Sequence, residues 1–199
     1  MPALEHGTRF LPFAKSDVPG FALTRHTRSH SSVRLWGHLG PLWADAFSLG
    51  VSNAHISILR GFARQDAAGR WIAEFLLAPG EGAPDPASLD FLGMALGEQA
   101  PADGNPVALT HYALDGSPDV GAALYLEVRG PDRLGFLGSL LRSLARLGLS
   151  PREMLVSTRD GEAFDRFFLK TVSGQVPRDD AQRALAKMLD YALVRNRPS

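Results

Sequence analysis

Six histidines, at positions 6, 26, 30, 38, 55 and 111, are the first residues in this chain whose type and spacing could do chemistry. His26 and His30 stand four apart, which puts both imidazoles on one face of a helix, as a zinc site needs, and on one face of a strand as well. The stretch around them, TRHTRSHSS over 24–32, has no helical apolar stripe and crowds Arg25 and Arg28 beside the two rings. It reads better as a solvated basic loop, able to take an anionic ligand or an acidic partner surface, than as a metal centre. Signatures of nucleophilic, phosphate-loop, zinc-hydrolase and dinucleotide chemistry do not occur: no G-x-S-x-G, no G-x-x-x-x-G-K-[ST], no H-E-x-x-H, and no Rossmann fingerprint in a strand–turn–helix setting. Asp115-Gly116-Ser117-Pro118-Asp119 has a Gly-Ser pair without the spaced acidic pair of a nucleotidyltransferase. The expectation is a chain that is not an enzyme and holds no metal or cofactor.

A second kind of chemistry needs no reactive side chain. Gly130-Pro131-Asp132-Arg133-Leu134-Gly135-Phe136 lies between a strand pattern and a helix pattern. A glycine there lets backbone approach a ligand, and unpaired N–H groups at a helix start attract a carboxylate. Two or three hydrogen bonds to charged groups, at about 1.5–3 kcal/mol each, reach the roughly −4 to −8 kcal/mol of millimolar to micromolar binding. The plainer reading is that Gly135 only permits a tight turn and Asp132 only caps a helix.

The elements that would position this loop follow from periodicity. Ala123–Arg129 alternates Leu124, Leu126 and Val128 with Tyr125, Glu127 and Arg129, the period of a strand. Phe136, Leu137, Leu140, Leu141, Leu144 and Leu147 share one helical face, and Gly148 is a natural C-terminal cap. Pro151–Thr158 and Phe164–Val172 are strands joined by a turn at Arg159-Asp160-Gly161, with Phe164, Phe167 and Phe168 expected in the core. Ala181, Ala184, Leu185, Met188, Leu189 and Ala192 make a last amphipathic helix.

Earlier in the chain the same order recurs. Ser52–Arg60 and Arg70–Ala78 read as strands, and Asp85-Pro86 opens a helix carrying Leu89, Leu92 and Leu96. Asn105–Leu114 reads as a strand closing this copy. For its opening strand, Arg25–Ser32, Ser32–His38 and Phe21–Thr27 all compete. Trp71 is expected in the core, and Trp36 and Trp43 in the core or at an interface between copies. A shift of 98 residues lays 34–58 over 132–156 with seven identities in 25, where about two are expected by chance. Two copies of one strand–helix–strand–strand–helix unit are therefore expected, an α+β fold of two ferredoxin-like βαββαβ modules with the second lacking its closing strand. Their spans are 21–115 and 120–199, after an N-terminal extension over 1–20.

Composition fits this picture. The chain has 199 residues, 45% hydrophobic, with 21 basic and 21 acidic side chains and no cysteine. That excludes a disulfide scaffold and thiolate chemistry, and a net charge of zero argues against a broad nucleic-acid or anionic-membrane footprint. The expected setting is the cytoplasm, because no apolar run approaches a membrane span and residues 1–6 lack signal-peptide character.

Asp132-Arg133-Leu134-Gly135-Phe136-Leu137 resembles the D-R-x-G-L-L opening of ACT domains, small ligand-binding regulatory modules with the βαββαβ fold. GEAFDRFFLKTVSG resembles their G-x-x-x-D-x-F-x-V third strand, and the tandem ACT region at the C-terminus of glutamine-sensing bacterial uridylyltransferases is the subgroup most alike. The resemblance covers 122–193 well and 33–114 loosely, where Arg34-Leu35-Trp36-Gly37-His38-Leu39 lacks the acidic-basic pair. It implies a regulatory protein that binds an amino acid where modules meet, between a strand-to-helix loop and the start of a neighbour's second strand. The implied ligand-binding residues are Asp132, Arg133, Leu134, Gly135 and Phe136, with Asp132 for an α-amino group. In the first copy they are His38, Leu39 and Gly40, with Asn53 at the opening of its second strand. Signal output through a homodimer or a partner enzyme is expected, and a ligand-free dimerisation or docking module is the alternative.

Overall fold

The computed structural model describes residues 17–97, 107–116 and 123–194. Two strands open it, β1 (Gly20–Arg25) and β2 (Ser31–Gly37), followed by helix α1 (Trp43–Asn53), strands β3 (Ile56–Gln65) and β4 (Trp71–Pro79), and helix α2 (Phe91–Leu96). The second half repeats the order with β5 (His111–Asp115), β6 (Leu124–Pro131), α3 (Phe136–Arg146), β7 (Leu149–Arg159), β8 (Glu162–Thr171) and α4 (Asp179–Val194). All eight strands form one antiparallel sheet in the order β1-β2-β4-β3-β7-β8-β6-β5. The fold is α+β, built of two ferredoxin-like halves.

Within each half the strand order differs from the expected one. β5 pairs with β6, not with any strand of the first half, so the segment expected to close the first copy is the outer strand of the second. The first half takes its outer strand from β1, which pairs with β2. Each half therefore reads strand-strand-helix-strand-strand-helix, a permuted ferredoxin-like order in which the fourth sheet position is filled from the N-terminal side. Both Phe21–Thr27 and Ser32–His38 were close to real strands, and Arg25–Ser32 is largely the loop between them. The division by pairing falls before β5, so residues 107–116 go with the second half.

The repeat is real, but its register is 93 residues, not 98. The helices α1 and α3 start at Trp43 and Phe136, and the strands β3 and β7 start at Ile56 and Leu149. In this register His55 meets Gly148, and both hold positive φ (56° and 70°) where a helix hands over to a strand. The ungapped alignment instead matched Gly50 to Gly148, but Gly50 lies inside α1 and is buried against Met94. Five residues exceed one helical turn, so Leu- and Gly-rich matches survived the wrong shift. The same misreading started the following strand at Ser52. In the structure α1 continues to Asn53, and the chain leaves it through Ala54 and His55. The expected Asp85 helix is also divided: Asp85 caps a 3-10 turn (Pro86–Ser88), and Asp90 caps α2 by accepting from Gly93 N–H at 2.8 Å.

Helices cover one face of the sheet. Phe47 and Val51 of α1, Phe91 of α2, Leu140 and Leu144 of α3, and Leu185 and Leu189 of α4 join one buried cluster with Val33, Leu35, Phe75, Leu77, Leu126, Val128, Phe167 and Leu169 from the strands. Alternation then sends their neighbours to the opposite face. Of the three expected core phenylalanines only Phe167 is in this cluster; Phe164 and Phe168 are half-buried on the opposite face, beside Arg129 and Tyr125. Trp43 and Trp71 are both core, ring to ring at 5.3 Å, while Trp36 is half-buried. No helix among the described residues is long and apolar enough to cross a membrane.

Candidate functional site

The β6–α3 loop and the first half meet at a narrow cleft. Its second-half wall is Asp132–Gly138, and its first-half wall is Ser48, Val51 and Ser52 of α1 with Ile56, Ser57 and Ile58 of β3. Gly135 sits at φ +85° as the N-cap of α3, which a side chain there would strain, and an added Cβ would come within 3.1 Å of Ser52 Oγ. The loop is held from below, where Asp132 N–H donates to Gly161 O at 2.8 Å and Phe136 N–H to Arg133 O at 2.9 Å. Next along α3, the amides of Leu137 and Gly138 have no hydrogen-bond partner among the described residues.

The first-half wall adds a polar group that is equally unsatisfied. Ser48 is 4% exposed, and its Oγ has no hydrogen-bond partner among the described residues. Gly138 brings α3 close to it, since an added Cβ would lie 3.6 Å from Ser48 Cβ. A buried hydroxyl left unpaired costs about 1–3 kcal/mol, so a donor and two free amides around one cleft are poised for a carboxylate or for water. The open volume is about 40 Å³. That holds roughly two or three waters and is far below the ~300 Å³ of ordinary ligand pockets. On its other side the loop borders a hollow of about 200 Å³ lined by Val107, Ala108, Pro131 and Ser139. A ligand larger than water enters the cleft only if the loop moves toward that hollow or α1 and α3 part.

The pseudo-symmetric counterpart is closed. There the β2–α1 loop faces β7, and Ser150 Oγ donates to Pro41 O at 2.7 Å with Ser150 only 1% exposed. In the 93-residue register Ser57 corresponds to Ser150 and Leu134 to Pro41, yet Ser57 makes no such bond. Arg152 also reaches across to the Gln65 side-chain oxygen. One interface between the halves is thus tied shut and the other is left as a cleft.

Two carboxylates are shifted by burial. Asp165 on β8 is 3% exposed, and burial pushes its pKa up to about 7 against the single bond it accepts from Ser157 N–H; the Asp132 carboxylate nearby adds to the rise. Asp45 of α1 is raised chiefly by burial, opposed by the guanidinium of Arg142 on α3 at 3.5 Å.

Asp132, Arg133, Leu134, Gly135 and Phe136 all line the cleft. His38, Leu39 and Gly40 do not: they form the loop at the closed interface. His38 approaches Asp17 at 3.8 Å, Leu39 is core, and Gly40 faces open space. Asn53 is exposed at the end of α1, and Ser52 faces the cleft in its place, because the strand starts at Ile56. Ser48, Ser52 and Ser57 went unread, although a hydroxyl at Ser48, in step with Ala44, Phe47 and Val51 on the buried face of a helix, is a legible signal. His26 and His30 bind neighbours: His26 Nε2 lies 2.7 Å from Ser32 Oγ, and His30 Nδ1 lies 2.9 Å from Ser29 Oγ. No group of three potential metal ligands occurs among the described residues.

No family model matches the chain, and no curated protein matches it by sequence. Among solved structures it is similar to the aspartate kinase from Synechocystis, with a TM-score of 0.47 and 15% identity. That likeness covers 84% of this chain and 27% of the kinase chain.

Proposed function

We propose that this chain is a non-enzymatic regulatory module that binds an amino acid in the cleft between the β6–α3 loop and the first half. The observation that carries the reading is the orphaned hydroxyl of Ser48, facing the same cleft as the unpaired amides of Leu137 and Gly138. These donors suit the α-carboxylate, and Asp132, half-buried at the same wall, suits the α-amino group. Because the closed cleft has room only for water-sized groups, occupancy requires the halves to rearrange, and that rearrangement is the output passed to a partner enzyme or a second subunit.

Thermal unfolding with each of the twenty amino acids at millimolar concentration tests this. At a hundred times its Kd a ligand adds about 2.7 kcal/mol, and about 2–4 °C per kcal/mol gives a shift of about 5–10 °C. The shift should be confined to one or two amino acids and should be lost in Ser48→Ala and Asp132→Ala. The small volume of the cleft favours a second reading, a ligand-free docking or dimerisation module that uses the outer edges of β1 and β5. A flat panel with a concentration-dependent oligomer would establish that reading instead.

A further inference from the structure

The uncovered face of the sheet carries a larger hollow, about 830 Å³, within the range of ligand pockets. Strand registers lay out its floor. One row runs Arg34–Glu74–Phe62–Leu155–Arg166–Glu127 across β2, β4, β3, β7, β8 and β6. The next row toward the β1–β2 loop places Ser32, Leu76 and Arg60 side by side. The floor is therefore apolar at its centre, with Phe62 half-buried, Leu155 44% exposed and Leu76 beside them. His26 bonds Ser32, which bends the basic loop over this face, so His26, Thr27 and His30 become the wall.

Charge on the rim is one-sided. Glu74 is the lone carboxylate lining the hollow, and Arg34 Nε holds it at 2.8 Å. Arg60 makes no ion pair among the described residues and lines the same hollow as the two imidazoles, on the strand beyond Leu76. Past Phe62 and Leu155 a second hollow of about 290 Å³ begins, where Ile72, Arg64 and Glu153 lie side by side on the uncovered face while Ala63 and Met154 are buried on the other. An Arg60 head end and an apolar floor of Phe62, Leu76 and Leu155 match a molecule with an anionic head and a short apolar body.

We propose that this face binds a small organic anion with an apolar chain, its carboxylate or phosphate on Arg60 and the His26–His30 loop and its chain over Phe62 and Leu155. The site is separate from the cleft and does not depend on the amino-acid reading. Isothermal titration with octanoate and octyl phosphate, against octanol and octylamine, tests it on the full chain. Both anions should bind and the neutral and cationic probes at least tenfold more weakly. Arg60→Ala and Phe62→Ser, both on the uncovered face, should each weaken the anions at least tenfold, while Asp132→Ala leaves them unchanged. Equal binding of octanol or octylamine overturns the proposal, as does no heat from either anion at millimolar concentration. A concentration-dependent dimer abolished by Phe62→Ser without any probe would assign the face to a second copy and overturn it too.

Discussion

Asp165 is the residue whose chemistry departs furthest from its ordinary behaviour. With a folded pKa of about 7 against an ordinary 3.8, the native state holds a proton that the unfolded chain has already released between roughly pH 4 and 7. Stability therefore falls as pH rises through that window and levels off above it. Asp45, raised in the same sense, adds to the slope. Thermal midpoints should be several degrees lower at pH 8 than at pH 5, and Asp165→Asn, which stays neutral, should remove most of the difference. A midpoint that rises over the same range would show that Asp165 is ionised and paired in the native protein. The residues of the β6–α3 loop are legible in the sequence because a glycine between a strand pattern and a helix pattern marks a turn where backbone lies open. In the sequence Asp165 is one polar residue in the alternation of β8. Its burial depends on its strand partner and on the helix above it, and neither can be read from a single strand.

At the scale of elements, the two interfaces between strand-to-helix loops and facing strands give a matched pair of experiments. Ser150→Ala removes the bond that pins the β2–α1 loop to β7, a loss of about 0.5–1.5 kcal/mol. The counterpart Ser57→Ala removes no such bond and should stay within about 0.5 kcal/mol of the parent. Denaturant titrations of both variants check the contrast, and equal losses would mean that the second interface is bonded in solution as well. The periodicities of β6, α3, β7, β8 and α4 could be read directly, because each carries a clean apolar stripe. The first half could not be phased so easily. Its α1 lacks a terminal glycine, His55 takes the left-handed turn instead, and β1 with β2 offered three overlapping strand patterns. The destination of β5 was beyond local reading, since a five-residue edge strand fits either neighbour until the pairing is known.

The molecule as a whole has one sheet and one buried cluster that runs through both halves. The seam between them is a five-residue antiparallel ladder from Arg60–Ser157 to Arg64–Glu153, backed by the packing of α1 on α3. Unfolding should consequently be a single transition. The chain provides its own reporter, because Trp36, Trp43 and Trp71 all lie in the first half. Tryptophan fluorescence and far-UV circular dichroism should give coincident denaturation curves. Leu140→Ala, in the buried core of the second half, should move the fluorescence curve by the full 2–5 kcal/mol typical of such a truncation. A fluorescence midpoint unmoved by that change would mean that the halves unfold independently.

The permuted strand order also bears on how the protein is made. Because β1 precedes β2, the ribosome releases the first half with all four of its strands in hand once α2 has emerged. Its inner strand β3, however, keeps a naked edge until β7 arrives, starting at Leu149. At translation speeds of about 5–20 residues per second that wait of roughly 50 residues lasts about 3–10 s. During this interval the nascent chain offers a long, half-apolar edge to any other growing copy on the same messenger RNA, and pairing there would exchange strands between two chains. The seam that makes the finished protein one body is the part of its sheet that waits longest for its partner.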